Sequence, residues 1–129
     1  MIIVFDSLTG QAKKFAKKLN LSSYDISQYR PTAEDEILLV TRTFNFGEIP
    51  EPTKNFLDSH ANRVKGVCVS GNRNWGQNYG AAGDKIAQIY DIPLIIKFEA
   101  SGFDRDVSVV KNWIKNQINI KGEQNYVNV

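Results

Sequence analysis

Residues 2–11 read Ile-Ile-Val-Phe-Asp-Ser-Leu-Thr-Gly-Gln, an apolar run that passes directly into a polar, glycine-containing loop. Four apolar residues in a row, without polar alternation, predict a strand that is buried on both faces. Residues 10–19 then repeat apolar side chains at helical spacing, so a helix is predicted after the loop. A buried strand, a loop and a helix in this order form the first unit of a parallel sheet covered by helices.

This alternation continues along the chain. Further strands are predicted at residues 23–26, 36–41, 64–70 and 94–98, and further helices at residues 50–57, 78–90 and 106–118. The pattern predicts an α/β fold with a five-stranded, doubly wound parallel sheet in the order 2-1-3-4-5 and helices on both faces. We expect one domain over residues 1–118 and a frayed tail at residues 119–129.

Composition narrows the class of protein. With 42% hydrophobic and 23% charged residues among 129, the chain is typical of a globular domain rather than a disordered or fibrous one. A net charge of +2 is weak support for nucleic-acid binding, and none is expected. The longest aliphatic runs are too short to span a membrane, and no basic segment precedes the first strand, so we expect a cytoplasmic protein without a membrane partner.

The chain has one cysteine, Cys68, and one histidine, His60. A single cysteine excludes an internal disulfide, a CxxC redox pair and a cysteine-rich zinc site. His60 lies at the end of a predicted surface helix, where a solvated histidine is the ordinary case. No metal site and no catalytic side chain are therefore expected.

Three loops carry the candidate chemistry, because the ligand crevice of this sheet order lies at the carboxyl ends of strands 1, 3 and 4. They are the first loop (residues 6–11), the second loop (residues 41–50) and the third loop (residues 71–79). Any bound ligand is predicted to contact all three.

The first loop combines two hydroxyls, a glycine and the start of a helix. Such a loop can bind an anion through hydroxyl and backbone N–H groups without a positive side chain. The alternative is an ordinary helix N-cap made by Ser7 or Thr9. The loop matches neither the GxxxxGK[ST] nor the GxGxxG pattern, so a phosphomonoester suits it better than the pyrophosphate of a dinucleotide.

The second loop contains Phe44 and Phe46 in a glycine-containing turn. Two aromatic side chains at the mouth of a parallel sheet can enclose a flat ligand while turn amides bond its edge. The alternative is a hydrophobic staple that fixes the loop to the next helix.

The third loop is rich in amides and aromatic side chains. Asn72, Asn74, Gln77 and Asn78 suit the carbonyl and imide edge of a heterocycle, and Trp75 and Tyr79 offer stacking faces. Trp75 alone could equally be a core residue. Taken together, the three loops predict a planar mononucleotide, and flavin mononucleotide (FMN) satisfies them.

Two other classes fit less well. A phosphoacceptor receiver domain needs an acidic cluster at strands 1 and 3, where this chain has only Asp6 and Thr41. Paired-carboxylate hydrolysis would need Asp104 and Asp106, which are predicted to begin a helix instead.

The chain resembles the NrdI family, the flavodoxin-like stimulatory proteins of ribonucleotide reductase, over about residues 3–110. The motif Ser-Gly-Asn-Arg-Asn-Trp-Gly at 70–76 is the most specific marker. Supporting stretches are Asp-Ser-Leu-Thr-Gly at 6–10, Phe-Gly-Glu-Ile-Pro at 46–50, Ala-Gly-Asp-Lys-Ile at 82–86, Pro93, Lys-Phe-Glu at 97–99 and Asp-Val at 106–107. The chain departs from the family pattern at Gln11, at Phe44-Asn45 and at Phe103.

The resemblance implies a flavodoxin-like fold and an FMN protein that serves class Ib ribonucleotide reductase. Reduced flavin would react with dioxygen and supply superoxide or peroxide to the small, manganese-binding subunit, where a dimanganese–tyrosyl radical cofactor is assembled. The manganese would belong to the partner, the flavin reductant is unidentified, and the chain would be an accessory protein rather than a stand-alone enzyme.

The resemblance also implies a set of cofactor-binding residues. The phosphate would lie in the first loop, the N5 edge of the ring at the second loop and the other side of the ring at the third. The predicted set is Ser7, Leu8, Thr9, Gly10, Gln11, Thr43, Phe44, Asn45, Phe46, Gly47, Asn72, Trp75, Gly76 and Tyr79.

Two alternative functions stay open on the sequence. One is a general flavodoxin that carries single electrons, although flavodoxins are usually acidic and this chain is not. The other is an interaction module without flavin. For the reductase activator, the partner is expected to contact the surface around Phe44, Trp75 and Gly102.

Overall fold

A computed structural model describes residues 1–32 and 34–127 of the chain, the last seven of these by their backbone only. Within those ranges one parallel sheet has the order β2-β1-β3-β4-β5, which confirms the predicted α/β topology. The strands are β1 (Ile2–Phe5), β2 (Ser23–Asp25), β3 (Ile37–Arg42), β4 (Val64–Gly71) and β5 (Leu94–Glu99). All four pairings between neighbouring strands are parallel.

Helices cover both faces of the sheet and enclose two hydrophobic cores. They are α1 (Gln11–Lys17), α2 (Glu51–His60), α3 (Ala81–Tyr90) and α4 (Asp104–Val127), with 3₁₀ helices at Ala61–Arg63 and Arg73–Asn78. Phe15 of α1 and Val110 of α4 pack against Ile3 on one face of the sheet. Leu57 of α2 and Ile86 of α3 pack with Val4 on the other. The buried apolar run that opens the sequence therefore contributes to both cores.

The bounds of α3 and α4 differ most from the sequence-based prediction. The helix predicted from residue 78 begins at Ala81, because residues 73–78 form a 3₁₀ helix with non-helical backbone at Gly76. The last helix begins at Asp104 and continues past Ile118, where a tail was expected, to Val127. Residues 119–127 contain no proline, and their Asn and Gly residues lower helix propensity without ending the helix. Residues 128 and 129 of the expected tail lie outside the described residues.

No helix in the described ranges combines the length and the apolar composition that crossing a membrane requires.

Candidate functional site

A cavity of about 360 Å³ opens at the carboxyl ends of β1, β3 and β4, where the topology predicts a ligand. This volume is within the usual range for small-molecule sites. All three predicted loops contribute to the wall. The lining residues are Ser7, Leu8, Thr9, Gln11, Ala12, Arg42, Thr43, Ser70, Gly71, Asn72 and Trp75.

The first loop folds on itself and leaves its polar side chains facing the cavity. The Gly10 N–H donates to Ser7 Oγ at 3.1 Å, so Ser7 closes the loop. Helix α1 begins after Gly10, and no side chain caps it. The alternative of an N-cap by Ser7 or Thr9 is therefore wrong. The Thr9 hydroxyl makes no hydrogen bond within the described residues, and with Gln11 it offers a donor to an anion.

A buried polar network supports the junction between β1 and β3. The Asp6 side chain is almost fully buried; its Oδ1 accepts from Arg42 Nε at 3.1 Å and its Oδ2 from the Thr53 hydroxyl at 2.7 Å. The Thr53 and Thr41 hydroxyl oxygens are 2.7 Å apart. Because Thr53 gives its only hydroxyl proton to Asp6, Thr41 must donate to Thr53. The network links two strand ends to α2 and leaves no carboxylate oxygen of Asp6 unpaired.

Residues 44–48 of the second loop form a tight turn beside the cavity, whereas Arg42 and Thr43 of the same loop line it. Phe44 and Glu48 exchange backbone hydrogen bonds of 2.8 and 2.7 Å. Asn45 has a φ of 49° and Gly47 a φ of 111°. A Cβ at Gly47 would lie 2.8 Å from the Cβ of Ala81, so the turn packs directly on α3. Neither Phe44 nor Phe46 lines the cavity or joins a core, and Phe46 is 79% exposed.

The third loop places an amide and an indole on the cavity. Asn72 Oδ1 accepts from the Asn74 N–H at 2.9 Å, which leaves the Asn72 amide group as a free donor. Trp75 lines the cavity and is 40% exposed, so the alternative of a core tryptophan is wrong. Thr43 ties the second loop to this region, because its hydroxyl donates to the Ser70 carbonyl at 2.9 Å.

Tyr79 does not line the cavity, although its ring packs beside Gly71, which does. Its ring centroid is 5.4 Å from Arg73 Cζ and 6.0 Å from Lys97 Nζ, and its carbonyl accepts from Lys97 Nζ. The Tyr79 hydroxyl is buried and has no hydrogen-bond partner among the described residues. Its position makes Tyr79 a support for the third loop.

The predicted set thus divides in two. The residues that line the cavity are Ser7, Leu8, Thr9, Gln11, Thr43, Asn72 and Trp75. The residues in the same loops that do not line it are Gly10, Phe44, Asn45, Phe46, Gly47, Gly76 and Tyr79. Sequence reasoning missed Ala12, Arg42, Ser70 and Gly71. The signal for Arg42, Ser70 and Gly71 was available, because the last residues of parallel strands face the crevice together with the loops that follow.

The lining chemistry fits a phosphorylated planar ligand. The first loop supplies hydroxyl and amide groups, and Asn72 with Trp75 supplies an amide and an aromatic face. Cys68 takes no part, since it is fully buried and burial raises the pKa of its thiol.

Comparison with known proteins gives concordant matches. The family model described as NrdI flavodoxin-like matches residues 3–112. A protein named NrdI from Macrococcus caseolyticus (strain JCSC5402) is 42% identical over 124 residues, covering 96% of this chain and 90% of its own. An SPbeta prophage-derived protein NrdI from Bacillus subtilis (strain 168) is 38% identical over 112 residues, covering 84% of this chain and 86% of its own.

Among solved structures, a short-chain flavodoxin associated with a non-canonical PDU bacterial microcompartment superposes with a TM-score of 0.75. The alignment covers 93% of this chain and 99% of that one, at 17% sequence identity. At that level of identity the likeness concerns the fold alone.

Proposed function

Because the chain belongs to the NrdI flavodoxin-like family, we propose that it is an FMN-binding redox activator of class Ib ribonucleotide reductase. In this role it supplies a flavin-derived oxidant, superoxide or peroxide, from dioxygen to the small subunit of the reductase. The oxidant serves assembly of the dimanganese–tyrosyl radical cofactor in that subunit. An unidentified reductant restores the flavin.

The observation that carries the proposal is the cavity at the ends of β1, β3 and β4, whose donors suit a phosphate and a heterocycle. Ser7, Thr9 and Gln11 would bind the phosphate, and Thr43, Asn72 and Trp75 would lie along the ring. A bound flavin would supply the electron chemistry. The side chains of this protein bind the flavin and orient it. Because the Thr43 hydroxyl donates its proton to the Ser70 carbonyl, it can only accept a hydrogen bond from the ligand.

An exposed apolar rim at the cavity supports the proposal that another protein binds there. The rim consists of Leu8, Phe44, Phe46 and Trp75; Leu8 is 75% exposed and Phe46 is 79% exposed. The Phe46 and Trp75 ring centroids lie 6.4 Å apart. Large apolar side chains exposed around a cofactor site are typical of a surface that another protein covers. The rim is where an oxidant leaving the cavity would enter the partner.

The test reconstitutes the transfer of oxidant from this protein to the reductase small subunit. Protein loaded with FMN is reduced without oxygen, mixed with manganese-loaded class Ib small subunit and exposed to oxygen. The tyrosyl radical is then counted by electron paramagnetic resonance. The proposal predicts radical in this mixture and none with free peroxide in place of the protein.

An unrelated short-chain flavodoxin at equal concentration is the matched control. Equal radical yield from that flavodoxin would replace the specific activator role with that of a general one-electron carrier. A Phe46→Ala variant should retain FMN and give less radical, because Phe46 belongs to the rim and does not line the cavity.

A further inference from the structure

Arg42 is the only charged side chain among the residues described as lining the cavity. It stands at the end of β3, immediately before the second loop. A charged group at this position has a large effect on which ligands bind, because a partly buried charge interacts more strongly with a ligand than an exposed one does. The position of the guanidinium therefore bears on ligand choice.

The buried Asp6 carboxylate holds the Arg42 guanidinium in place. Arg42 Nε donates to Asp6 Oδ1 at 3.1 Å, and the Asp6 side chain is only 5% exposed. The other Asp6 oxygen accepts from Thr53 at 2.7 Å, so the carboxylate cannot turn away without losing a second bond. A fixed carboxylate that bonds Nε fixes the plane of the guanidinium as well.

The remaining donors of Arg42 are free for a ligand. A guanidinium has five N–H groups, and Nε uses one of them on Asp6. The terminal nitrogens make no hydrogen bond within the described residues, although the Arg42 side chain is only 20% exposed. Two parallel N–H groups match two oxygens of one phosphate or carboxylate group.

The direction of the side chain indicates which part of a ligand it meets. From β3 it reaches back to Asp6, at the end of β1. Asp6 directly precedes Ser7, which lines the same cavity together with Thr9. The bond to Asp6 therefore places the guanidinium beside the start of the first loop.

We propose that Arg42, positioned by Asp6, binds the phosphate group of the ligand and makes the cavity select a phosphorylated flavin over an unphosphorylated one. This inference rests on the proposed function, and it assigns to this chain a positive phosphate ligand that the sequence analysis did not expect. Asp6 acts as a positioning residue and does not touch the ligand.

The test measures FMN and riboflavin dissociation constants by fluorescence quenching in the native protein and in Arg42→Gln. Loss of charge-assisted hydrogen bonds predicts FMN binding weakened about 10- to 100-fold. Riboflavin binding should change by less than about threefold, since no phosphate is present to lose contacts. Native FMN affinity should fall with added salt, and that salt dependence should be smaller in Arg42→Gln.

Arg73→Gln is the matched control, because it removes the same charge from a residue that pairs with Glu99 and does not line the cavity. It should leave FMN binding within about threefold of native, as expected for an exposed pair. Arg42→Lys keeps the positive charge but lacks the two parallel N–H groups of the guanidinium. Its FMN affinity should lie between those of the native protein and Arg42→Gln. Asp6→Asn should weaken FMN binding in the native protein. In a protein that already carries Arg42→Gln, it should cause little further loss of FMN affinity, because Asp6 acts by positioning Arg42.

Three results would overturn the inference. They are equal losses for FMN and riboflavin, which would place Arg42 at the ring; unchanged FMN affinity in Arg42→Gln; and an Arg73→Gln loss as large as that of Arg42→Gln. A native protein that binds neither flavin would instead remove the proposed function, so the two failures are distinguishable.

Discussion

Removal of the Thr9 hydroxyl tests whether the first loop binds the phosphate. The side chain lines the cavity and its hydroxyl has no protein partner among the described residues. Thr9→Ala should weaken FMN binding by about 1–3 kcal/mol, the range for removing a hydrogen bond to a charged acceptor. Riboflavin affinity should hardly change. Both are measured by equilibrium titration, and equal losses for the two ligands would place the phosphate elsewhere.

Asn45 has a backbone conformation that its residue type favours. Asparagine is among the few non-glycine residues that adopt positive φ readily, and Asn45 has a φ of 49° in the turn that Phe44 and Glu48 close. A turn at this position can present a backbone carbonyl to the edge of a bound ring. The peptide that carries this carbonyl can adopt two orientations. The energy difference between these orientations then adds to the energy difference between the protonation states of the ligand.

Substitution at Asn45 should therefore alter the gap between the two one-electron potentials of the bound flavin. Asn45→Gly relaxes the turn, whereas Asn45→Val strains it by about 1–3 kcal/mol because a β-branched residue resists positive φ. Each 1.36 kcal/mol changes a protonation equilibrium about tenfold. Redox titration of all three proteins measures the gap. An identical gap in each would show that the turn does not respond to the flavin, or that Gly47 governs it.

At the scale of elements, the second loop is fixed by its contact with α3. Gly47→Ala places a methyl group 2.8 Å from the Cβ of Ala81 at a φ of 111°, so it should lower the free energy of unfolding by about 1–3 kcal/mol. Gly76→Ala is the control. Its φ of 55° is also positive, so the backbone strain is similar, but no atom beyond its chain neighbours lies within 4 Å of the added methyl, and Gly76→Ala should therefore cost less than Gly47→Ala. Urea unfolding of both variants compares them, and equal costs would mean that the α3 contact does not constrain the loop.

Helices α2 and α3 are joined by a hydrogen bond from the Tyr90 hydroxyl to Asp58 Oδ1 at 2.6 Å. Burial, and then Asp58, raise the pKa of Tyr90 from 10.0 to about 12. The same bond, with Lys54, lowers the pKa of Asp58. Because the folded pKa of Tyr90 is raised, the stabilisation by its protonated form is complete below about pH 10 and is lost as the pH rises towards 12.

The Tyr90→Phe variant isolates this contribution from other groups that titrate at high pH. The difference in unfolding free energy between native and variant should be constant from pH 7 to pH 9, where neither state of Tyr90 ionises. It should shrink between pH 10 and pH 11. Urea unfolding at each pH supplies the values, and a difference that stays constant to pH 11 would contradict the raised pKa.

At the scale of the whole molecule, the sheet order could be predicted because it follows from local patterns. The apolar run at residues 2–5 and the alternation after it admit few topologies. The bond between Asp6 and Arg42 could not be predicted in the same way, since it joins residues 36 positions apart. Neither residue type alone specifies such a partner, and only the register of β1 beside β3 brings the two strand ends together.

The third loop shows a second limit of prediction. Its composition predicted Asn72 and Trp75 as residues of a ligand crevice, and both line the cavity. It did not predict the 3₁₀ helix at Arg73–Asn78, which depends on an Asn72 side-chain bond and on non-helical backbone at Gly76. Tyr79, which follows this helix, does not line the cavity. The residue types in a loop thus do not by themselves specify the positions of its side chains.

FMN binding in the cavity between the first and third loops underlies both the proposed function and the proposed role of Arg42. Equilibrium dialysis of the purified protein against FMN, read by the absorption bands of oxidised flavin, measures this binding. We expect one FMN per chain, a yellow protein, and weaker uptake in both Thr9→Ala and Arg42→Gln. A colourless protein that takes up no added FMN would contradict this expectation.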